Sequence, residues 1–191
     1  MSLRYAILVA LTEGPKTGYD VTKQFDESLG FFWRAQHSQI YRDLRKLKEK
    51  GYVRSEEIEQ TGKPNRIVFH ITELGRSHLF EWSRTPSEPQ PMKDDFLVQL
   101  YGIESVDLDA LRENIFLRLD RHRDHQKQYE KIYNEIGQAQ TLADLGRKLA
   151  VDVGVRNERE WASWCAQALE ELDEQKVQNL GSVVPIKSNG S

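Results

Sequence analysis

Cysteine is nearly absent from this chain. Cys165 stands alone in 191 residues, which excludes an internal disulfide framework and a cysteine-based zinc site. No run of about 18 apolar residues occurs, so no membrane-spanning helix is expected. The apolar stretch near the N-terminus (MSLRYAILVALTEG) is preceded only by Arg4 and lacks a small-residue cleavage site. It reads as a first helix rather than a leader, and a cytoplasmic location is the default expectation. Catalytic signatures are missing too: there is no GxSxG, no phosphate-cradling loop, no HExxH and no dinucleotide fingerprint. The carboxylate pairs Asp94/Asp95 and Glu170/Glu171 sit in ordinary polar surroundings. Neither an enzyme nor a cofactor is expected. Proline is scarce, and three of the six fall between Arg84 and Met92, which marks that segment as a linker.

What the chain does have is charge, unevenly placed. The net charge is −3, yet residues 1–85 hold 14 Lys or Arg against 11 Asp or Glu. Within 34–54 the count is seven positive against two negative, a local excess that points this segment at a polyanion. An ordinary solvated helix face would account for the charge equally well. The order of elements around it decides between the two.

A helix is expected from Leu3 to Glu13, with Leu3, Ile7, Leu8 and Leu11 on one face and Gly14-Pro15 ending it. Thr17 with Asp20 forms an acidic capping box for a second helix, expected to bury Tyr19, Val21 and Phe25. Gly30 closes it, and the cluster Phe31, Phe32, Trp33 follows. A third helix begins near His37 or Ser38, with Ile40, Leu44 and Leu47 inward and Gly51 as terminating glycine. Two strands (YVRSEEIE and RIVFHIT) flank a basic turn with Gly62 and Lys63 at its tip. Ile67, Phe69 and Ile71 are expected to face inward. Thr72 then caps a fourth helix carrying Leu74, Leu79, Phe80 and Trp82. A basic helix followed at once by a two-stranded ribbon with a positive tip is the arrangement of a winged DNA reader. On it, Arg42 and Arg45 are expected near bases. Ser38, Gln39 and Tyr41 are expected to fix register, and Lys46, Lys63 and Arg66 to meet phosphates.

Beyond the linker the pattern is helical throughout. Phe96, Leu97 and Leu100 mark a short helix, and Asp107 to Ile136 a long one with a 3–4 stripe from Leu108 to Ile136. A last helix, from 141 to about 176, carries Leu142, Leu145, Leu149, Val153, Trp161, Trp164, Ala168 and Leu172. Two such helices cover each other in part, and a second copy of the chain is the natural cover for the rest. His122 and His125 have helical metal spacing, but no third ligand follows from the sequence and arginines crowd the segment, so no metal is expected. Trp161 and Trp164 share a face. Packing is their common role, and the wall of an aromatic ligand pocket is the other. The fold class is therefore mainly α: an α+β winged helix-turn-helix domain (1–84), a linker (85–93), an all-helical dimerisation domain (94–178) and a disordered tail (179–191).

The segments LRYAILVALTEGPKTGYDV, W-x4-SQIYRDLRKLKEKGYV and GKPNRIVFHITELGRSHLFEW resemble, in order and spacing, the PadR family of transcriptional regulators. Phe69 departs from the tyrosine more usual there. The linker and long helices are similar to the longer subfamily with a virulence-activator-type C-terminal region. The resemblance implies a homodimer on a pseudo-palindromic double-stranded operator, with the third helix in the major groove and the wing around Lys63 on the minor groove or backbone. It further implies repression relieved by a small, often aromatic effector, toward which Trp33, Trp161 and Trp164 are the candidate residues. A winged-helix protein–protein adaptor without specific DNA binding is the alternative.

Overall fold

Gly14 and Pro15 should end the first helix. In the computed structural model, which describes residues 3–27, 35–59, 61–62, 65–89 and 92–181, α1 (Leu3–Thr12) does stop there. Gly14 takes φ +144°, a backbone that L side chains rarely adopt. The two residues that follow form a strand the sequence pattern did not announce. β1 (Lys16–Thr17) pairs antiparallel with β3 (Arg66–Ile71), which in turn pairs with β2 (Val53–Ile58), giving the order β1-β3-β2. A two-residue strand has no periodicity to read, so only the β3 edge could reveal it. Thr17 also starts α2 (Gly18–Glu27). Its hydroxyl accepts the Asp20 N–H at 3.1 Å, and the Asp20 carboxylate accepts the Thr17 N–H at 3.0 Å and hydroxyl at 2.7 Å. These bonds hold the Asp20 carboxyl below the usual carboxylate range.

The core of this unit (residues 1–90) joins Ile7, Leu8 and Leu11 of α1, Val21 and Phe25 of α2, and Ile40, Leu44 and Leu47 of α3 (His37–Glu49). Each fully buried aliphatic side chain contributes about 1.5–3 kcal/mol. α3 ends in a glycine cap. Gly51, at φ +73°, donates its N–H to the Lys48 carbonyl, and Tyr52 N–H reaches the Leu47 carbonyl, the paired bonds of a Schellman motif. α4 (Glu73–Ser83) starts at Thr72, whose hydroxyl accepts from Gly75 N–H and donates to the Gly51 carbonyl at 2.7 Å. That bond ties the start of α4 to the end of α3.

Two apolar residues, Tyr19 and Ile67, lie elsewhere than expected. Tyr19 is exposed, because α2 buries its Val21–Phe25 side instead. Phe69 and Ile71 pack on the core, but Ile67, nearer the ribbon tip, is 52% exposed. On α4, Leu79 reaches the core while Leu74 and Phe80 face outward. Trp82 is half-exposed and stacks on Tyr5 at 4.4 Å.

The second unit (91–191) contains α5 (Asp95–Tyr101), a 3-10 turn at Ile103–Ser105, α6 (Leu108–Ile136) and α7 (Leu142–Gly181). Asp94 and Asp107 cap α5 and α6 with their carboxylates. α6 spans 29 residues, about 43 Å at 1.5 Å per residue. It pairs antiparallel with α7: Arg112, near its start, donates to both carboxylate oxygens of Asp173 at 2.7 and 2.8 Å. At the other end, Lys148 donates to the Gly137 carbonyl in the turn. Phe96, Leu111, Ile115 and Leu119 meet Ala162 and Cys165 in a second core. Further along, the Tyr129 ring lies where a Cβ on Gly154 would stand, 2.8 Å away.

The stripe expected on the first half of α7 is not the buried one. Leu142, Leu145, Leu149 and Val153 are exposed, whereas Val151 and Val155 face α6. This helix is apolar on two sides, and the smaller residues took the internal contact. Leu108 is also half-exposed. α7 runs to Gly181, three residues into the segment read as a tail, and the rest of that segment lies outside the described residues. No described helix is long and apolar enough to cross a membrane.

Candidate DNA interface and aromatic pocket

With Ile40, Leu44 and Leu47 turned inward, the helical period leaves Ser38, Tyr41, Arg42 and Arg45 on the outer face of α3. All four are exposed, and Lys46 is half-buried at the margin. Arg42, Arg45 and Lys46 form no ion pair or hydrogen bond with any other described residue, so their donors are uncommitted. Gln39 is half-buried, and its side-chain oxygen accepts the Gln36 N–H at 3.2 Å. It caps the start of the helix, which the sequence expectation for register contacts overlooked.

Two clefts flank Arg45. One, of about 490 Å³, is lined by Ser38, Arg42, Arg45, Lys46 and Glu49. The other, of about 710 Å³, lies between the start of α2, α3 and β3, with Tyr19, Tyr41, Arg45, Asn65, Arg66 and Ile67 among its walls. Tyr41 is seated there by a glycine: a Cβ on Gly18 would lie 2.4 Å from its ring. The ring therefore rests on the bare backbone at the start of α2. Arg66 stands 3.8 Å from the ionised Asp20, so part of its charge is already answered. Lys63 lies outside the described residues, as does Trp33.

The structure thus brings Ser38, Arg42, Arg45 and Lys46 together, and joins Tyr41 and Arg66 to Arg45. It adds Tyr19, Asn65 and Ile67, which sequence reasoning missed. Strand alternation points Ile67 inward and helix reading groups Tyr19 with Val21 and Phe25, yet both are exposed. The signal that could have found Tyr19 is its place on the first turn of α2, off the side formed by the buried Gly18, Val21, Thr22 and Phe25.

The second unit holds an aromatic pocket of about 400 Å³ lined by Met92, Leu97, Asn157, Glu160, Trp161 and Trp164. The two indole rings meet nearly edge to face, with centroids 5.6 Å apart at 81°. Behind Trp161, His122 stacks on the ring at 5.4 Å and its Nδ1 lies 2.5 Å from the buried Glu158 carboxylate. His125 approaches the same carboxylate at 3.7 Å. The histidine pair therefore engages a buried acid across the helix pair. Among the described residues no cluster of three metal-ligating side chains occurs. Cys165 is buried, and desolvation pushes its thiol pKa up, which makes it unreactive.

Residues 7–81 match the transcriptional regulator PadR-like family, and residues 92–173 match the virulence activator alpha C-terminal family. The negative transcriptional regulator PadR of Bacillus subtilis is 31% identical over 180 residues, covering 90% of this chain and 97% of that protein. A probable transcriptional regulator of Mycobacterium tuberculosis is 33% identical, covering 92% of this chain and all of that protein. The crystal structure of the Bacillus subtilis PadR in complex with operator DNA superposes with a TM-score of 0.79 at 29% identity, over 90% of this chain and 99% of that one. The same relative in complex with p-coumaric acid gives 0.73 at 28%, over 91% and 99%. The Vibrio cholerae virulence activator AphA gives 0.75 at 28%, again over 91% and 99%. With both halves matched, and a basic helix held beside an antiparallel wing, this chain belongs to the PadR-like family of transcriptional regulators: it is a DNA-binding regulator of transcription and not an enzyme.

Proposed function

We propose that the chain acts as a homodimeric repressor whose operator affinity is lowered by a small aromatic effector. In this reading the winged helix-turn-helix domain spans 1–84, a linker 85–93 leads out of it, and the helices of 94–178 pair two copies. The observation that carries the DNA half is the uncommitted cationic face of α3, Arg42, Arg45 and Lys46. Arg42 and Arg45 read base edges, with Ser38 and Tyr41 fixing register. Lys46, Lys63 and Arg66 take phosphates, and the cleft beside Tyr19 and Ile67 receives sugar and phosphate of one strand. Gln39 contributes mainly by capping α3. Repression is favoured because the Bacillus subtilis relative is a negative regulator.

A salt-dependent titration against DNA upstream of the chain's own gene, with random duplex as competitor, tests the reading. Binding at least about a thousandfold tighter than to random DNA supports a specific regulator. Weak and equal binding to both at every candidate operator would leave the adaptor role. Lys63→Ala is expected to weaken all sequences alike and to flatten the salt slope by about one unit. An unchanged slope would remove the ribbon tip from the phosphate contacts.

Pairing of copies is supported by the apolar row Leu142, Leu145, Leu149 and Val153 on α7, with Phe116 and Leu117 of α6 also exposed. Leu149→Glu, at a position 59% exposed, should leave the fold intact and shift the sedimentation profile toward monomer. A variant that remains wholly dimeric at micromolar concentration would move the interface off this row. The effector half rests on the aromatic pocket and on the relative crystallised with p-coumaric acid.

A further inference from the structure

We propose that the Trp161–Trp164 pocket binds a small organic cation, an aromatic amine or quaternary ammonium compound, in preference to a carboxylate. This deepens the effector reading above and rests on it, since it names the chemistry of the ligand at the same pocket.

The charge of the lining decides the class. Among the described residues that line it, Glu160 is the ionisable one, and none is Lys, Arg or His. A carboxylate ligand entering it would shed water without gaining a counter-charge, and would meet the Glu160 carboxylate as well. A cation faces the opposite balance. The two indole rings stand nearly perpendicular, at 81°, and so give two walls of different direction to one small volume. Electron-rich ring faces attract ammonium groups, and tryptophan does so most strongly. Met92 and Leu97 add apolar wall for alkyl or ring carbons, and the Asn157 amide adds a polar edge.

Neighbouring charges do not reverse this balance. Arg118 reaches the cluster with its guanidinium 4.1 Å from the Phe96 ring centroid. Both of its terminal nitrogens donate to Asp94 at 2.8 Å, so its charge is answered in place. Phe96 itself meets Trp164 edge to face at 5.9 Å. The aromatic cluster therefore already holds one cation against a ring backed by a carboxylate, the arrangement proposed for the ligand. Glu158, one turn before Trp161, is buried and engaged by His122 and His125. Glu160, in contrast, is exposed and makes no ion pair with any other described residue, so it is open to a ligand.

The test uses the full chain and three probes of similar size: benzyltrimethylammonium, its uncharged isostere neopentylbenzene, and p-coumarate. Binding is followed by tryptophan fluorescence and calorimetry, on the wild type and on Glu160→Gln and Trp164→Phe. The expected result is that the cation binds about tenfold tighter than the isostere, and that Glu160→Gln and Trp164→Phe each weaken it about three- to tenfold. Far-UV circular dichroism of both variants should match the wild type, since Glu160 and Trp164 are exposed. Equal binding of cation and isostere, or tighter binding of p-coumarate, would overturn the cation preference while leaving a ligand pocket in place. No saturable response to any of the three would overturn both the preference and the effector reading at this pocket. DNA release by p-coumarate without a response at Trp164 would do the same and place the effector site elsewhere.

Discussion

Arg42→Ala is expected to weaken binding to the specific operator by about 1–3 kcal/mol, roughly 5- to 150-fold, with little loss on random duplex. Arg42 is exposed on α3, opposite the buried Ile40, Leu44 and Leu47, and makes no ion pair with any other described residue. Its removal therefore costs the folded chain little, within about 0.5 kcal/mol as for most surface changes. The loss should fall almost entirely on DNA. Titrating wild type and variant on operator and on random duplex, at two salt concentrations, separates the outcomes. A uniform loss on both duplexes with a flatter salt slope would make Arg42 a phosphate contact. A loss below a few tenths of a kcal/mol on a defined operator would take it out of the interface.

The largest effect on stability is expected from Gly75→Ala. A Cβ there would lie 2.2 Å from the Tyr52 carbonyl oxygen and 3.0 Å from Cγ1 of Ile71. The carbonyl has little freedom to move, because it accepts the Thr72 N–H at 3.0 Å. Alanine would gain about 1 kcal/mol of helix propensity over glycine. Overpacking against fixed backbone costs more, so a net loss of about 1–3 kcal/mol is expected. That corresponds to a fall of roughly 4–8 °C in melting temperature per kcal/mol for a unit of this size. Operator affinity should fall with it, since Thr72 also holds the Gly51 carbonyl at the end of α3. Gly146→Ala supplies the control. That position is helical with nothing within 4 Å of a Cβ, so it should be neutral or stabilising by up to about 1 kcal/mol. Thermal melts of both variants check the pair. A Gly75→Ala variant as stable as Gly146→Ala would mean that α4 can shift off Tyr52 at no cost.

The T-x-x-G segment was legible as a helix start, but the need for glycine at its fourth position was not. It follows from the approach of the Tyr52 backbone, just before β2, to the first turn of α4, and no local pattern encodes that approach. The same holds for Gly18, whose missing side chain makes room for the Tyr41 ring. Sequence reading reached the exposed cationic residues of α3 because that helix has strong local signals. Its apolar triad is spaced at i, i+4 and i+7, and the glycine that ends it is followed at once by a strand.

By itself, then, the sequence determined the order of the longer elements, the inward face of α3, the Thr17–Asp20 capping box, the Thr72 cap and the cationic character of the outer face. Each depends on neighbours within one or two turns, where the helical period and cap chemistry act. Tertiary structure alone decided which of two apolar sides of α7 was buried, and that Tyr19 and Ile67 stand at a cleft rather than in the core. It also decided that Lys16–Thr17 forms a strand on β3, and that Trp161, Trp164 and Glu160 enclose one space with Met92 and Leu97. Hydropathy says that a side chain prefers to leave water. Which surface is near enough to receive it depends on how distant segments meet.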